Sequence, residues 1–241
     1  MKKINHFLKN TGTSRALTPD EFMQKTHDVS KLAADTLAIG RKANKMKVIE
    51  KMTKTSAIPR RFINSNLYGG CHDVQKAAYS VGRDFVDTFD ESLRSGAGLM
   101  LFGGIGTGKT HLACAIANAL LAEFKLVMYC TVIEAVMMVK QSWSGSSELS
   151  EYEVYQQFAV PELLILDEVG VQHGSDFEVM VITSIIDARS RRCLPTIAIS
   201  NYSPEKVIEI IGDRAFDRLM GFGGKVIEMR GDSLRQKVVY L

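Results

Sequence analysis

The chain has 241 residues, 46% of them hydrophobic and 24% charged, and a net charge of +3, which suits a globular protein with one good core and some length left for an appendage. No apolar run approaches the roughly 20 residues needed to cross a bilayer, and the basic start Met1-Lys2-Lys3 lacks the apolar stretch of a secretory signal. The four cysteines (Cys71, Cys114, Cys130, Cys193) are scattered without metal-ligand spacing, the pair Cys71-His72 has no partner nearby, and a reducing cytoplasm fits this usage.

Along the chain the charge is uneven. Residues 1–61 hold 14 Lys/Arg against 5 Asp/Glu, and the remainder hold 16 against 22. A basic arm on a mildly acidic body suits an acidic partner, either nucleic acid or an acidic protein face; a solvated helical face gives the same pattern. Residues 1–18 are polar and read as loose. Thr18-Pro19-Asp20-Glu21 resembles a helix start, with proline in the first turn and acids beside the positive dipole end. Amphipathic spacing then predicts one or two helices over roughly 20–53. Thr53 to Pro59 reads as a hinge or linker, because Ile58-Pro59 cannot lie inside a regular helix. The division predicted is a basic helical arm over 1–57 and a second domain over 58–241.

In the second domain, short apolar runs alternate with helical patterns. Strands are predicted at 98–102, 126–130, 162–166, 195–200 and 225–229. Helices are predicted at 73–93, 109–123, 131–142, 148–157, 176–191, 204–211 and 213–220. Strands separated by helices imply an α/β fold whose parallel sheet is covered on both faces.

Residues 103–110 read Gly-Gly-Ile-Gly-Thr-Gly-Lys-Thr, between an apolar strand and an Ala/Leu-rich helix. Gly, four residues, then Gly-Lys-Thr is the pattern of a phosphate-binding loop. The backbone N–H groups of Gly103, Gly104, Ile105, Gly106, Thr107 and Gly108 would cradle a polyphosphate, and His111 follows on the helix whose positive end faces it. Lys109 would reach the β- and γ-phosphates, and the Thr110 hydroxyl would bind Mg²⁺. Leu163-Leu164-Ile165-Leu166-Asp167-Glu168 is a buried strand with two acids at its tip, where ligands bind in open α/β sheets. Asp167 would hold Mg²⁺, and Glu168 would polarise an attacking water. Asn201, at the tip of Ile197-Ala198-Ile199-Ser200, could touch a γ-phosphate or simply form a turn. Arg214 and Arg218 lie four apart on one helix face. Either could serve a neighbour's phosphate or pair locally with Asp213 or Asp217. Arg235 is a last candidate for a phosphate contact. Trp143, beside Lys140, could stack on a nucleic-acid base or pack against the body. Met128, Met137 and Met138 read as core.

Together these residues resemble the AAA+ ATPases of the DnaC/DnaA/IstB group, and within them the DnaC-type helicase loaders. The match spans about 58–237. It rests on the phosphate loop, Leu-Asp-Glu-Val-Gly-Val-Gln at 166–172, Ser-Asn at 200–201, Asp-Arg-Leu at 217–219 and Asp-Ser-Leu-Arg at 232–235. The resemblance implies a five-stranded AAA+ core that hydrolyses ATP slowly with Mg²⁺. It makes Asn201 sensor 1, Arg218 the arginine finger acting on the adjacent subunit (Arg214 the second choice) and Arg235 sensor 2. Phe62, in Ile58-Pro59-Arg60-Arg61-Phe62, would line the adenine pocket. The arm would grip a DnaB-type replicative helicase, a spiral oligomer would open its ring, and single-stranded DNA would run past Trp143, Ser175 and Phe177. Phe177 stands where the resemblance places a Tyr, so a hydroxyl is missing there.

Three alternatives share parts of this pattern. An IstB-type transposition helper has the same core but a transposase and duplex DNA as partners. A DnaA-type initiator needs a C-terminal helix-turn-helix, for which the sequence leaves no room after Arg235. A small-molecule kinase shares the phosphate loop, but the Asp167-Glu168 pair favours attack by water.

Overall fold

A computed structural model describes residues 20, 21, 24, 25, 28, 52–69, 75–144, 147–170 and 175–234. Five strands form one parallel sheet: β1 (Leu99–Phe102), β2 (Val127–Thr131), β3 (Leu163–Asp167), β4 (Thr196–Ser200) and β5 (Lys225–Glu228), in the order β2-β3-β4-β1-β5. Among the described residues beyond position 75, eight α-helices accompany it: α1 (Lys76–Asp87), α2 (Phe89–Ser95), α3 (Lys109–Ala122), α4 (Val132–Ser142), α5 (Glu151–Phe158), α6 (Asp176–Ser190), α7 (Pro204–Ile211) and α8 (Asp213–Met220).

The strands read as continuous apolar runs because both faces of the sheet are covered. Alternate residues point to opposite faces. Leu163, Ile165, Leu99, Leu101, Ile197 and Ile199 join a core with α1 and α3. Leu164, Leu166, Met100, Ala198, Met128 and Cys130 join a second core with α4, α5, α6, α7 and α8. Helix α3 is buried along most of its length, which explains its run of Ala and Leu. The edges differ: β5 buries only Ile227, whereas the free edge of β2 is met by Ser56, whose carbonyl accepts from Tyr129 N–H at 2.7 Å.

The expected strands and most helices lie where predicted, with two differences. The helix expected over 73–93 is two helices. At their junction Thr88 leaves helical geometry (φ −109°, ψ 22°), and its hydroxyl donates back to Asp84 O at 2.8 Å. A β-branched residue that bonds the preceding turn disfavours continuation; Asp90 and Glu91 then favour a new N-terminus. Of the expected Met core, Met128 and Met138 are buried, but Met137 is 50% exposed. It lies one position from Met138 on α4, and adjacent helical residues do not share a face.

Of the arm, the described positions 20, 21, 24, 25 and 28 are helical, and the Gln141 side-chain amide on α4 donates to Asp20 Oδ1. The expected linker is shorter than predicted. Met52–Thr55 is still helical, and only Ser56 to Pro59 forms the connection.

Candidate nucleotide site

The order of strands builds the site. β4 lies between β1 and β3, so the phosphate loop after β1, Asn201 after β4 and Asp167-Glu168 at the end of β3 stand side by side at one end of the sheet. This is where open parallel sheets bind ligands. A cavity of about 640 Å³ opens there, lined by Ile105, Gly106, Gly108, Lys109, Thr110 and His111, by Asp167, Glu168 and Asn201, and by Arg61 and Phe62.

The loop holds its shape through backbone geometry and one charge. Gly106 has φ 83°, and a Cβ there would collide with the Ser233 hydroxyl, so only glycine fits under the segment that follows β5. Leu234 N–H donates to Gly106 O at 2.9 Å and fixes that segment over the loop. Lys109 Nζ donates to Gly103 O at 2.8 Å and Gly104 O at 2.7 Å, which holds its positive charge inside the hollow. Gly103, Gly104 and Thr107 do not line the cavity. Thr107 is buried, its hydroxyl donates to Gly104 O at 2.9 Å, and its carbonyl accepts from Gln75 Nε2.

Thr110 and Asp167 meet as the loop reading requires: Thr110 Oγ1 donates to Asp167 Oδ2 at 3.0 Å. Two hard oxygen donors beside a phosphate cradle fit Mg²⁺, which takes few protein ligands and leaves its other positions to phosphate and water. Among the described residues no cluster of three or more His, Cys, Asp or Glu offers an all-protein metal cage. Tyr129 OH donates to the same Asp167 oxygen at 2.7 Å, and Glu168 N–H donates to Oδ1 at 2.7 Å. Burial, then the Asp167 charge, push the Tyr129 phenol well above the ordinary tyrosine range, so it stays a donor. Glu168 sits at φ 63°, a left-handed conformation uncommon for a side-chain-bearing residue. Burial, then the charges of Asp167 and Glu134, raise its carboxyl above the usual glutamate value. A carboxylate held partly out of water beside a second carboxylate is suited to taking a proton from water.

One wall of the cavity is aromatic. Phe62 and His111 meet edge to face at 6.2 Å, Arg61 lies over the Phe62 ring at 4.5 Å, and Tyr79 OH lies 2.6 Å from His111 Nδ1. Asn118 Nδ2 donates to Phe62 O and Ser65 O at 2.9 and 2.8 Å, which pins this wall to α3. Burial lowers the His111 pKa.

Arg218 and Arg214 are not in the cavity lining. Arg218 pairs with Asp187 near the end of α6 that leads into β4, at the opposite end of the sheet from the strand tips. It therefore cannot serve the nucleotide of its own chain. Arg235 and the pair Cys71-His72 lie outside the described residues. Trp143 and Phe177 come together, with ring centroids 5.1 Å apart, and Lys140 Nζ lies 5.4 Å from the Phe177 centroid. Trp143 remains 57% exposed and donates to Glu151 Oε2 at 2.7 Å. Ser175 caps α6 by accepting from Glu178 N–H at 3.3 Å, a structural role in its own right.

Residues 84–240 match the family model for the IstB-like ATP binding protein. The chain belongs to this family. As an IstB-like ATP binding protein it is also similar to the replicative helicase loader DnaC of Buchnera aphidicola (subsp. Schizaphis graminum), 26% identical over 239 residues, 98% of this chain and 95% of that one. Similarity to the DnaC loader of Escherichia coli K12 is 34% over 164 residues, 68% of this chain and 65% of that one. The crystal structure of the DnaC helicase loader superposes with a TM-score of 0.61 at 23% identity, over 70% of this chain and 99% of that one. The DnaI structure gives 0.58 at 23%, over 74% and 95%. The IstB-like chain thus shares the α/β fold of these two structures.

Of the motif residues in this IstB-like protein, Ile105, Gly106, Gly108, Lys109, Thr110, Asp167, Glu168, Asn201 and Leu234 line the cavity. Tyr129, Tyr79 and Gln75 also shape the site, and no motif announces them. Tyr129 was legible only as a phenol inside an otherwise apolar strand, where a buried hydroxyl needs a polar partner.

Proposed function

We propose that this chain is an ATP-dependent loader for a replicative hexameric helicase of the DnaB type, delivering it onto single-stranded DNA. The observation that carries this reading is the reach of the similarity. The IstB-like family model begins at residue 84, inside the ATPase core, whereas the Buchnera DnaC loader aligns over 98% of the chain and so includes the basic arm. A transposition helper of the IstB type would share the core, and the family match alone favours it as the second reading.

In the loader reading the site acts as a switch. Lys109 and the loop amides bind the phosphates, Phe62 and His111 hold the base, and Thr110 with Asp167 hold Mg²⁺, which supplies charge neutralisation between the phosphates. Glu168 orients and deprotonates the attacking water, and Asn201 positions it or the γ-phosphate. Arg218 completes the site of an adjacent subunit in a spiral oligomer. ATP binding favours assembly and single-strand binding, and hydrolysis releases the helicase. The arm over 1–57 grips the helicase, and Trp143, Phe177 and Ser175 lie along the DNA path.

The test is to mix the full chain with hexameric helicases and weigh the complexes with and without ATP. A nucleotide-dependent complex is expected, lost on deleting residues 1–53 and weakened by Lys109→Ala. Binding to a transposase and to no helicase would establish the second reading.

A further inference from the structure

Tyr129 belongs to none of the motifs of the phosphate site, yet its main chain and its side chain each make a specific bond. It is the third residue of β2, at the edge of the sheet, where backbone groups face away from any neighbouring strand. Its N–H donates to Ser56 O at 2.7 Å. Ser56 ends the helical turn Met52–Thr55: its N–H bonds Met52 O at 2.8 Å and its hydroxyl bonds Thr53 O at 2.7 Å. It is fully buried. Ala57 then turns at φ 58°, a left-handed conformation unfavourable for alanine, and Ile58-Pro59 lead into the 3₁₀ turn Arg60–Phe62 of the cavity wall.

The side chain of the same residue reaches the other partner. Tyr129 OH and Thr110 Oγ1 both donate to Asp167 Oδ2, and Glu168 N–H takes Oδ1. Three donors therefore orient one buried carboxylate. Of the three, Tyr129 is the one also bonded to the residue that joins the arm to the body.

We propose that Tyr129 is a positioning residue that couples the seat of the arm at Ser56 to the carboxylate of Asp167. The proposal rests on the reading of Thr110 and Asp167 as the residues that hold Mg²⁺. Close-packed interiors transmit displacement rather than absorb it. A pull on the arm that shifts Ser56 along the edge of β2 shifts the Tyr129 backbone, and the phenol moves on Asp167. In the reverse direction, metal–nucleotide binding that settles Asp167 tightens the bond between Tyr129 and Ser56.

The first experiment measures the affinity of the full chain and of Tyr129→Phe for a fluorescent non-hydrolysable ATP analogue, with Mg²⁺ and in EDTA. Losing a hydrogen bond to a charged group corresponds to about tenfold, and that drop is expected in the ratio of the two affinities. A merely structural tyrosine would lower both affinities together and leave their ratio unchanged, which overturns the proposal. A wild-type chain that binds the analogue equally in Mg²⁺ and EDTA removes the metal reading and the proposal with it. The second experiment needs no variant: amide hydrogen exchange at Tyr129 in the wild-type chain. Mg²⁺ plus analogue is expected to slow it relative to analogue in EDTA. Equal exchange in the two conditions overturns the coupling, whether or not Tyr129→Phe folds.

Discussion

Arg218 and Asp187 are joined across two helices, with Nη1 2.8 Å from Oδ1, while Arg191 takes the other oxygen of the same carboxylate. The intrahelical alternatives, Asp213 and Asp217, do not hold it; the partner comes from α6. The arginine is half exposed, so the pair's net contribution is about 0–1 kcal/mol. An arginine that stabilises phosphoryl-transfer charge in trans contributes about 10³-fold or more to turnover. In the loader reading proposed above, this weak local pair is no obstacle to a role for Arg218 in trans.

Arg218→Ala is expected to leave nucleotide affinity within about twofold and to reduce hydrolysis in the helicase-bound assembly by about 10³-fold. Steady-state hydrolysis with saturating helicase is the measurement. Turnover equal to the parent would remove the role in trans, and the same loss in Arg214→Ala alone would transfer it to that residue.

Glu168→Gln is expected to bind ATP and assemble normally while hydrolysis falls about 10²–10⁴-fold. Because burial and the neighbouring Asp167 and Glu134 charges raise the Glu168 carboxyl, the wild-type rate should fall with acid at a pH above the ordinary glutamate value of 4.5. A pH–rate profile whose acid limb lies at or below that value would contradict the assignment.

His111 gives a pH dependence of stability with the opposite origin. Burial holds its folded-state pKa below 6.5, so the unfolded chain binds the proton more tightly. Stability is therefore highest above about pH 6.5 and declines as pH falls from there toward the folded value. Thermal unfolding from pH 8 to pH 5.5 should show this decline, and His111→Gln should flatten it. An unchanged slope in the variant would assign the effect to other groups.

Much of this was legible beforehand, for identifiable reasons. The strands were readable because a sheet covered on both faces demands unbroken apolar runs such as Leu163–Leu166. The phosphate loop was readable because its glycines and Lys109 answer to one chemistry. Thr88 was not, since whether a threonine bonds back to the preceding turn depends on local geometry that the amphipathic pattern of 73–93 does not encode. Nor was the Arg218–Asp187 pair, which is 31 residues apart in sequence and meets only because α8 packs on α6. Tyr129 was hidden for the same reason: its partners Ser56 and Asp167 come from opposite sides along the chain.

Trp143→Ala is expected to weaken single-stranded DNA binding by about tenfold, the lower end of one lost base stack at about 1–3 kcal/mol. The ring is exposed and leans on Phe177, so the fold should survive the change. Fluorescence anisotropy with a labelled oligonucleotide, at fixed salt, is the measurement. Unchanged affinity would leave the indole as a cover for Phe177 and a partner for Glu151.

Two residues after Asp187, Arg189 is wholly enclosed and donates to Phe158 O, Pro161 O, Glu162 O, Pro195 O and Thr196 Oγ1. Burial pulls its guanidinium down to about 9, so it is still a cation at neutral pH. It rivets the last turn of α6 to the entrances of β3 and β4. Asp187 is therefore a fixed post. In the loader reading, an arginine that acts on a neighbour would have to unhook from a stationary anchor, and the swing would belong to Arg218 and α8.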